Sequence, residues 1–416
     1  MSLVRLLSVL LFVSVSPSAI ALGFDEALFS AGRTPRLLGS RAAFDARTRL
    51  DAALPAQTGN PEFTLSPGIG IGPQRAVGGP GLALQVGVQQ SWNLANLANA
   101  RRRAAMDERA VLAVLLRADA LEQHLSTAQA WLELWTAQAM VQATIRERDL
   151  ARDLAKVVAL AAQRGVLTLA DVAEADLFAS EVDLRLVGLE GDTHDRAVAL
   201  ARTMSLPAGS LPEATGALPQ PALPDATAWK KLVLQAGQLP DAVAMRLQAQ
   251  AARSRALEGA AQHGSSLTLG AAVQRDGQGT TAVLATFGLR WALFERGQRV
   301  ASQAEAEVVR AGAEATHASI DAGHRLAAAW HEVEHGRERE LVLRDRVVAT
   351  AERLVALRDR QFPRGATTVF DLLRARQARL EAERRRIEAT AVRTWAELKA
   401  WLLNAELARA TAEARP

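Results

Sequence analysis

The chain has 416 residues, a formal net charge of only +4, and aromatic residues at 4% of its positions. It contains no Cys and no Tyr, and the absence of Cys excludes disulfides, thiolate metal sites, cysteine nucleophiles and lipid attachment through an N-terminal Cys. Abundant Ala and Arg suit long helices better than a compact aromatic core. We expect no nucleic-acid partner, since the chain has no basic tail and no interleaving of basic with aromatic residues.

The first 21 residues have the pattern of a secretory signal peptide. Arg5 precedes an apolar run from Leu6 to Val15, and Ala19 and Ala21 supply the small residues that signal peptidase requires. We therefore expect residues 1–21 to be removed and the mature chain to begin at Leu22. Beyond that point no run approaches the roughly 20 apolar residues of a membrane-spanning helix, which argues against a helical inner-membrane protein.

The mature chain contains the same pattern of elements twice. The segment from Arg164 to Val172 is similar to that from Arg364 to Leu372, and a Trp pair recurs at nearly the same offset: Trp92 and Trp131 are matched by Trp291 and Trp330. We expect a first structural repeat at 22–205, a Pro-rich linker at 206–224 and a second repeat at 225–416.

Each repeat contains two segments in which apolar residues alternate with polar or small ones, the period-2 pattern of a strand. The strands are expected at about 62–72, 82–92, 265–275 and 281–291. Each repeat therefore offers one β-hairpin whose strands have the length that a tilted transmembrane strand requires. A soluble sheet with its apolar face on a core is the alternative.

Two features favour the membrane interpretation of these hairpins. Their polar faces are small and nearly uncharged, as suits a narrow pore lining, and Trp92 and Trp291 lie where strand gives way to helix, as aromatic residues do at a membrane interface. Four strands cannot close a barrel, because spanning barrels need at least about eight. The chain is therefore expected to oligomerise, and three copies would give twelve strands.

Long helices follow the hairpins, and shorter helical pieces are expected at 24–53 and 225–261. The long helices are predicted at about 93–164, 168–205, 294–362 and 367–411. In the first of them a heptad seam runs through Leu121, Leu125, Ala128, Leu132, Trp135 and Ala139. At ~1.5 Å per residue this helix is on the order of 100 Å long. The fold class is mainly α, with long antiparallel coiled-coil helices forming an α-barrel and a small transmembrane β part.

The turns between the paired long helices, which we name the tips, have clear local signals. Thr168 and Thr368 each open a helix, and Asp171 and Asp371 three residues later complete capping boxes. A Gly ends each preceding helix. Capping alone explains the two carboxylates, and a carboxylate ring that narrows the channel entrance is the alternative.

At this point the chain resembles the TolC-like outer membrane efflux protein family over essentially its whole mature length. The likeness rests on the duplicated order of elements, on Trp291-Ala292-Leu293-Phe294 with Gly297-Gln298-Arg299, on the second tip from Phe362 to Leu373, and on the first tip from Arg164 to Asp171. One departure is the run from Trp92 to Arg101, where such proteins usually have an apolar-Gly-Arg junction. Another is Ala162, which replaces the bulky residue matched by Phe362.

The resemblance implies a homotrimer in outer-membrane lipid, with a twelve-stranded β-barrel and a helical tunnel across the periplasm. It also implies a periplasmic adaptor protein, an inner-membrane pump and no cofactor. The adaptor-docking residues it implies are Arg164, Gly165, Val166, Leu167, Thr168, Arg364, Gly365, Ala366, Thr367 and Thr368.

One motif points instead to an enzymatic function. His331-Glu332-Val333-Glu334-His335 fits the zinc metalloprotease pattern, in which two His bind zinc and the Glu activates water. The segment lies midway along an expected coiled-coil helix, and catalytic zinc also needs a third ligand and a cleft. We expect no enzyme and no metal site there, and we expect the His-bearing face, which also includes His317 and His324, to be solvated.

The function expected from these patterns is a passive trimeric exit duct for small molecules, coupled to an adaptor and a pump in tripartite efflux or type I secretion. Three alternatives stay open at this stage. They are the outer membrane component of a metal-cation efflux system, a periplasmic coiled-coil protein that never inserts, and a secreted HExxH metalloprotease.

Overall fold

A computed structural model describes residues 20–52, 61–70, 81–275, 281–291 and 298–413. Several sequence predictions lie outside these ranges: most of the signal peptide, the last two residues of the first predicted strand, the turn at 276–280 and the junction at 292–297. Within the described residues, no helix is both long and apolar enough to cross a membrane.

The described residues form long helices and a small sheet. The first half of the chain contains β1 (Ile20–Leu22), α1 (Phe24–Ala31), α2 (Pro35–Ala52), β2 (Glu62–Gly70), β3 (Gly81–Asn93), α3 (Leu97–Gln163) and α4 (Leu169–Thr203). The second contains β4 (Pro212–Ala214), α5 (Ala226–Leu234), α6 (Pro240–Gln262), β5 (Ser266–Arg275), β6 (Thr281–Arg290), α7 (Gln298–Val342), α8 (Ala349–Gln361) and α9 (Val369–Glu413). The mainly helical fold with a small β part is the predicted fold class.

The chain divides into two compact units, and each draws on both predicted repeats. Unit 1 comprises 1–38, 119–234 and 324–416, and unit 2 comprises 39–118 and 235–323. A repeat of the sequence is therefore not a compact unit of the structure, because elements of one repeat pack on those of the other. The repeat boundaries themselves stay a prediction.

Unit 2 contains a four-stranded antiparallel sheet in the order β2-β3-β5-β6. The two predicted hairpins are β2–β3 and β5–β6, and β3 pairs with β5 to join them, with Val86 opposite Val273 and Trp92 opposite Leu267. The sheet therefore combines both repeats, and β2 and β6 are its edges.

The two faces of this sheet differ sharply. Because side chains alternate along each strand and directly opposed residues share a face, the register assigns nearly all large apolar residues to one face. Among the strand residues whose side chains the structure describes, nine of them are exposed: Phe63, Leu65, Leu84, Val88, Leu269, Val273, Val283, Phe287 and Leu289. The other face carries mostly small or polar residues, and there Ser91 Oγ lies 2.8 Å from Thr268 Oγ1.

Glycines on the polar face allow the strands to approach closely. A Cβ on Gly87 would lie 2.9 Å from the Cβ of Ala272, and one on Gly270 would lie 3.0 Å from the Cβ of Gln89. Both distances are shorter than normal carbon contacts. Side chains on this face are therefore crowded, and Gly is required where the neighbouring strand comes so close.

Unit 1 has a buried core around Trp131 of α3. Its indole Nε1 donates a 2.9 Å hydrogen bond to the backbone carbonyl of Leu22, and the ring of Phe24 packs edge-on at 5.3 Å. Ala128 and Leu132 of the predicted heptad seam are buried in the same cluster, and Leu121, Leu125 and Trp135 pack against it. The seam therefore faces the core.

The matched Trp of the second repeat is also packed in unit 1. Trp330 of α7 stacks on Trp229 of α5 with ring centroids 5.3 Å apart. The buried Trp229 donates its Nε1 hydrogen to the carbonyl of Leu326, at 3.0 Å. Each repeat thus uses one Trp of a long helix and one aromatic residue of a short helix to fix the two together.

Two short strands of unit 1 lie in regions predicted to be signal peptide or linker. β1 pairs in parallel with β4, with Leu22 opposite Ala214. Its first two residues precede the predicted cleavage position, while Leu22, whose carbonyl accepts from Trp131, follows it. The β4 strand forms inside the Pro-rich segment 206–224, and the cleavage position stays a prediction.

The path from α7 to α8 contains a feature that the sequence pattern does not predict. Residues Leu343–Val348 form a π-helical turn, after which the α-helix resumes. Near it, Gly336 packs against Arg393 so closely that a Cβ would lie 3.1 Å from the Arg393 Cα. Arg393 of α9 binds Glu340 of α7 at 2.6 Å, and Arg337 of α7 binds Glu397 of α9 at 2.7 Å. Two ion pairs therefore fix α7 to α9 beside the π-turn.

Candidate functional sites: the helical tips and the sheet end

The first tip, between α3 and α4, is a hydrogen-bonded turn closed at both ends. Gly165 has a φ of +72°, and the N–H groups of Gly165 and Val166 donate to the carbonyls of Ala162 and Ala161. This is the Schellman arrangement, which requires a left-handed residue and therefore favours Gly. The predicted role of Gly165 in ending the helix is confirmed.

The helix α4 then begins with the predicted capping box. The hydroxyl of Thr168 accepts from the N–H of Asp171 at 3.2 Å, and the Asp171 carboxylate accepts from the N–H of Thr168 at 2.8 Å. These two bonds satisfy backbone donors that a helix start otherwise leaves free. They orient the Asp171 side chain back towards the turn.

The second tip, between α8 and α9, repeats this geometry with additional contacts. Gly365 has a φ of +66°, and Asp371 N–H donates to the Thr368 hydroxyl at 3.1 Å. The neighbouring Thr367 hydroxyl accepts from Arg358 at 3.1 Å and lies 3.4 Å from the Asp371 carboxylate. Because of these contacts the second tip is tied to its own preceding helix.

Both tip carboxylates are held in the charged form. The hydrogen bond from the Thr168 backbone lowers the pKa of Asp171 below its usual value, and the side-chain hydrogen bond from Thr368 lowers that of Asp371. Both side chains are partly exposed, so water screens these effects. The tips therefore present carboxylates that are ionised at neutral pH.

The tips share one apolar cluster within unit 1. Val158 of α3, Phe178 of α4 and Leu372 of α9 are buried together, with Leu167 and Phe362 packed against them. The two predicted docking turns are thus neighbours, although about two hundred residues separate them in sequence.

Three apolar side chains at the tips point into solvent. Val166 is 73% exposed, Leu169 is 85% exposed and Phe370 is 55% exposed. Sequence reasoning named Val166 but not Leu169 or Phe370. Their positions could have indicated this exposure. Leu169 lies one residue after the N-cap Thr168 and Phe370 two residues after Thr368, on the side of the helix away from the apolar seam.

The two interface aromatics predicted from the sequence lie at the same end of the sheet in unit 2. Trp92 is the next-to-last residue of β3, and Trp291 directly follows β6. The register places Trp92 opposite Leu267, which is opposite Leu289, so the three share the apolar face. Trp291 is 65% exposed and Trp92 is half-buried.

The turn between β3 and α3 lies in the run from Trp92 to Arg101, where the sequence lacks the expected apolar-Gly-Arg junction. Asn96 has a φ of +60°, in the left-handed region where Asn is tolerated better than most residues. Asn93 donates to the carbonyl of Ala261 at 2.9 Å and accepts from the N–H of Ala95 at 2.8 Å. Asn93 thus supports this turn with its side chain, and Asn96 with its left-handed backbone.

The HExxH segment lies on the exposed face of α7. His331 and His335 are exposed with ring centroids 4.2 Å apart, and the Glu332 carboxylate is bound by Lys399 at 3.0 Å. His317 and His324 are exposed as well, as predicted. Across the described ranges, no three His, Asp or Glu side chains are grouped so that they could hold a metal ion.

Several solved structures are similar to this chain. A membrane protein from Pseudomonas aeruginosa aligns with a TM-score of 0.79 and 15% identity, over 93% of this chain and 91% of its own. The outer-membrane channel OprN aligns with a TM-score of 0.76 and 16% identity, over 92% and 89%. The outer membrane protein VceC from Vibrio cholerae has a TM-score of 0.69 and 21% identity, over 92% and 95%.

No family profile and no curated protein sequence matches the chain. At identities this low, the structural likeness establishes the fold. The chain has the fold of these membrane proteins over nearly its whole length, which confirms the fold predicted from the duplicated motifs.

Proposed function

We propose that the chain is an outer-membrane channel subunit, a passive exit duct for small molecules in a tripartite efflux or type I secretion system. The observation that supports this most is the sheet of unit 2, which exposes a continuous apolar face and keeps small or polar residues on the other. An apolar face of this size is unfavourable in water. Lipid on one side and a water-filled pore on the other would satisfy both faces.

The edges of the sheet support a homotrimer. Within the described residues, β2 and β6 each pair on one side only. An unpaired strand edge in lipid costs several kcal/mol for each unsatisfied backbone group, so spanning sheets are closed. Three subunits of four strands would form a twelve-stranded barrel, which lies within the range of known sizes.

The helices of unit 1 also have faces that a sister subunit would cover. On α4, the exposed apolar residues are Leu177, Leu184, Val187 and Val198. Leu177, Leu184 and Val198 are spaced by multiples of seven residues. On the α7–α8 segment, Leu341, Val342, Val347, Leu354 and Leu357 are exposed. Apolar stripes at heptad spacing are typical of helices that pack on further helices, as adjacent subunits of an α-barrel would.

The tips are the proposed docking site for a periplasmic adaptor that connects the duct to an inner-membrane pump. Arg164 and Arg364 are exposed beside the two left-handed glycines, and Val166, Leu169 and Phe370 add exposed apolar surface. Mixed apolar and basic surface is typical of protein interfaces. Asp171 and Asp371 act in this proposal as caps, and a carboxylate ring at the entrance stays the alternative.

The three rival functions receive less support. A periplasmic spacer would leave the apolar face of the sheet in water, which is costly. A metalloprotease needs a free Glu beside its zinc, whereas Lys399 binds Glu332. Export of metal cations is favoured only by the exposed His of α7, and a channel for small molecules remains the proposal.

Fractionation and electrophoresis test this function. The protein should appear in detergent-extracted outer membranes as a trimer that heating converts to monomers, and its deletion should sensitise cells to compounds that the wild type exports. Recovery as a soluble periplasmic monomer would contradict the channel and favour the spacer. Glu332→Gln should leave export unchanged, whereas loss of a proteolytic activity in that variant would favour the enzyme.

A further inference from the structure

Unit 1 contains a groove between α3, α4 and α9 that the proposed duct does not require. Its volume is about 380 Å³, within the range of about 300–1,000 Å³ that is usual for small-molecule sites. We name it the Trp395 groove after its largest residue. Its apolar lining includes Leu132, Ala137, Met140, Leu189, Val392 and Trp395.

Small residues explain why this space is open. Ala137 of α3 and Ala391 of α9 both line the groove, beside the bulkier Met140 and Trp395. Since an Ala extends no further than its Cβ, the helices leave a gap at this level that a Leu or Phe would fill. The groove is thus part of how the three helices pack.

The rim of the groove carries an excess of negative charge. Arg196 binds Glu133 at 2.6 Å, so these two charges compensate each other. Asp192 and Glu388 also line the groove, and neither has a hydrogen bond or ion pair to any part of the chain that the structure describes. Three carboxylates face one guanidinium, which leaves a net charge of −2 among the lining residues.

We propose that the Trp395 groove binds an amphipathic organic cation. Its aromatic or alkyl body would lie on the apolar lining, where Trp395 also offers a π-face to a cation. Its positive group would lie between the unpaired carboxylates of Asp192 and Glu388. Because no three ligand side chains converge in the described ranges, the charge suits an organic cation better than a bare metal ion.

A second subunit is a less suitable occupant for this groove. The exposed stripe of α4 includes Leu184, whereas Leu189 lies in the groove. Five residues at 3.6 per turn place these two about 140° apart around the helix. The face that a sister helix would cover is therefore different from the face that lines the groove.

A binding measurement on the full-length protein tests the proposal. Ethidium, a planar aromatic cation, is titrated by fluorescence against the protein in a non-ionic detergent. Asp192→Asn and Glu388→Gln should each weaken binding about two- to fivefold, as expected for partly exposed charge pairs. The matched control is Asp195→Asn, which removes the same charge from the same helix at a residue outside the groove, and it should leave the affinity unchanged.

A second variant tests the apolar half of the site. Ala391→Phe keeps the charges but fills the gap, so it should abolish ethidium binding while circular dichroism confirms folding. No binding by the wild type would overturn the proposal. Equal binding by the wild type, Asp192→Asn, Glu388→Gln and Ala391→Phe would overturn it as well. The readout is binding and not export, so a protein that binds ethidium but exports nothing would contradict only the channel function.

Discussion

The sheet of unit 2 and the helical core of unit 1 place their apolar residues in opposite environments. Around Trp131, apolar side chains from several helices bury one another. On the sheet, Phe287 is 71% exposed, and its neighbours on that face are exposed as well. The core is therefore complete within one chain, whereas the sheet requires surroundings that the chain does not supply.

This difference separates two kinds of stability. Burial of Trp131 stabilises the subunit in water without any partner, because the chain itself removes this apolar surface from water. In the proposed duct, the apolar face of the sheet would stabilise only the state that is inserted in lipid and closed by other subunits. Substitutions in the two regions should accordingly have different consequences.

The largest effect is expected from Trp131→Ala. It leaves a cavity and deprives the Leu22 carbonyl of its donor, so we expect the free energy of unfolding to fall by about 3–5 kcal/mol. Thermal unfolding followed by far-ultraviolet circular dichroism measures this. Trp131→Phe keeps most of the volume and should cost clearly less; an Ala variant as stable as the wild type would show that this cluster does not hold the helices together.

The next effect concerns membrane insertion. Phe287→Arg should destabilise the inserted protein by about 2–4 kcal/mol, because it exposes a charge to lipid, and it should reduce trimer recovered from the outer membrane. Thr286→Arg on the adjacent, opposite face is the matched control and should still insert. Equal loss in both variants, or in neither, would contradict the assignment of the faces.

A smaller effect is expected from Gly87→Val. The new Cβ would lie 2.9 Å from the Cβ of Ala272, so strands β3 and β5 must shift apart, at a cost of about 1–3 kcal/mol. The heat-induced dissociation temperature of the trimer measures it. Gly288→Ala on the same face has its nearest neighbour at 3.7 Å and should dissociate near the wild-type temperature.

The smallest effect is expected at the first tip, from Thr168→Ala. Loss of the cap should destabilise the start of α4 by about 1 kcal/mol, and faster hydrogen exchange of the Asp171 amide would report it. Ser at position 168 keeps the hydroxyl and should restore protection. Unchanged exchange in the Ala variant would indicate that the cap contributes nothing.

The same variant should change how the tip responds to pH. Because the folded-state pKa of Asp171 is depressed, its stabilising contribution is present above the unfolded-state pKa of about 3.9 and is lost as the pH falls through the folded value. Nuclear magnetic resonance titration of Asp171 should show its pKa rising part of the way towards the ordinary value in Thr168→Ala, because the variant loses the 2.7 Å hydrogen bond from the Thr168 hydroxyl and keeps the one from the Thr168 backbone. A pKa that is equal in both proteins would refute the hydroxyl hydrogen bond as a cause.

Local patterns allowed much of this molecule to be predicted. Alternation identified the four strands and their two faces, and the heptad around Ala128 and Leu132 identified the buried side of α3. The tip turns were also predictable, because Gly165 and Thr168 act through bonds to residues within a few positions. In each case the feature depends on residues that are close together in the sequence.

Features that depend on distant segments were not predictable. The pairing of β3 with β5, the strand pair β1–β4 and the π-helical turn at Leu343–Val348 were not predicted. The solvent exposure of Leu169 and Phe370 was missed as well, because it depends on which neighbouring helices cover each face.

The sequence by itself determined the type of each long element, the two unlike faces of the strands and the chemistry of the tips. The spacing of apolar residues and the capping hydrogen bonds both act within one segment. These properties therefore do not depend on the rest of the chain. Only the tertiary structure decided that both repeats contribute to one sheet, that the two tips are neighbours and that Asp192 and Glu388 share a groove. Those outcomes depend on packing between segments up to about two hundred residues apart, which no local pattern encodes.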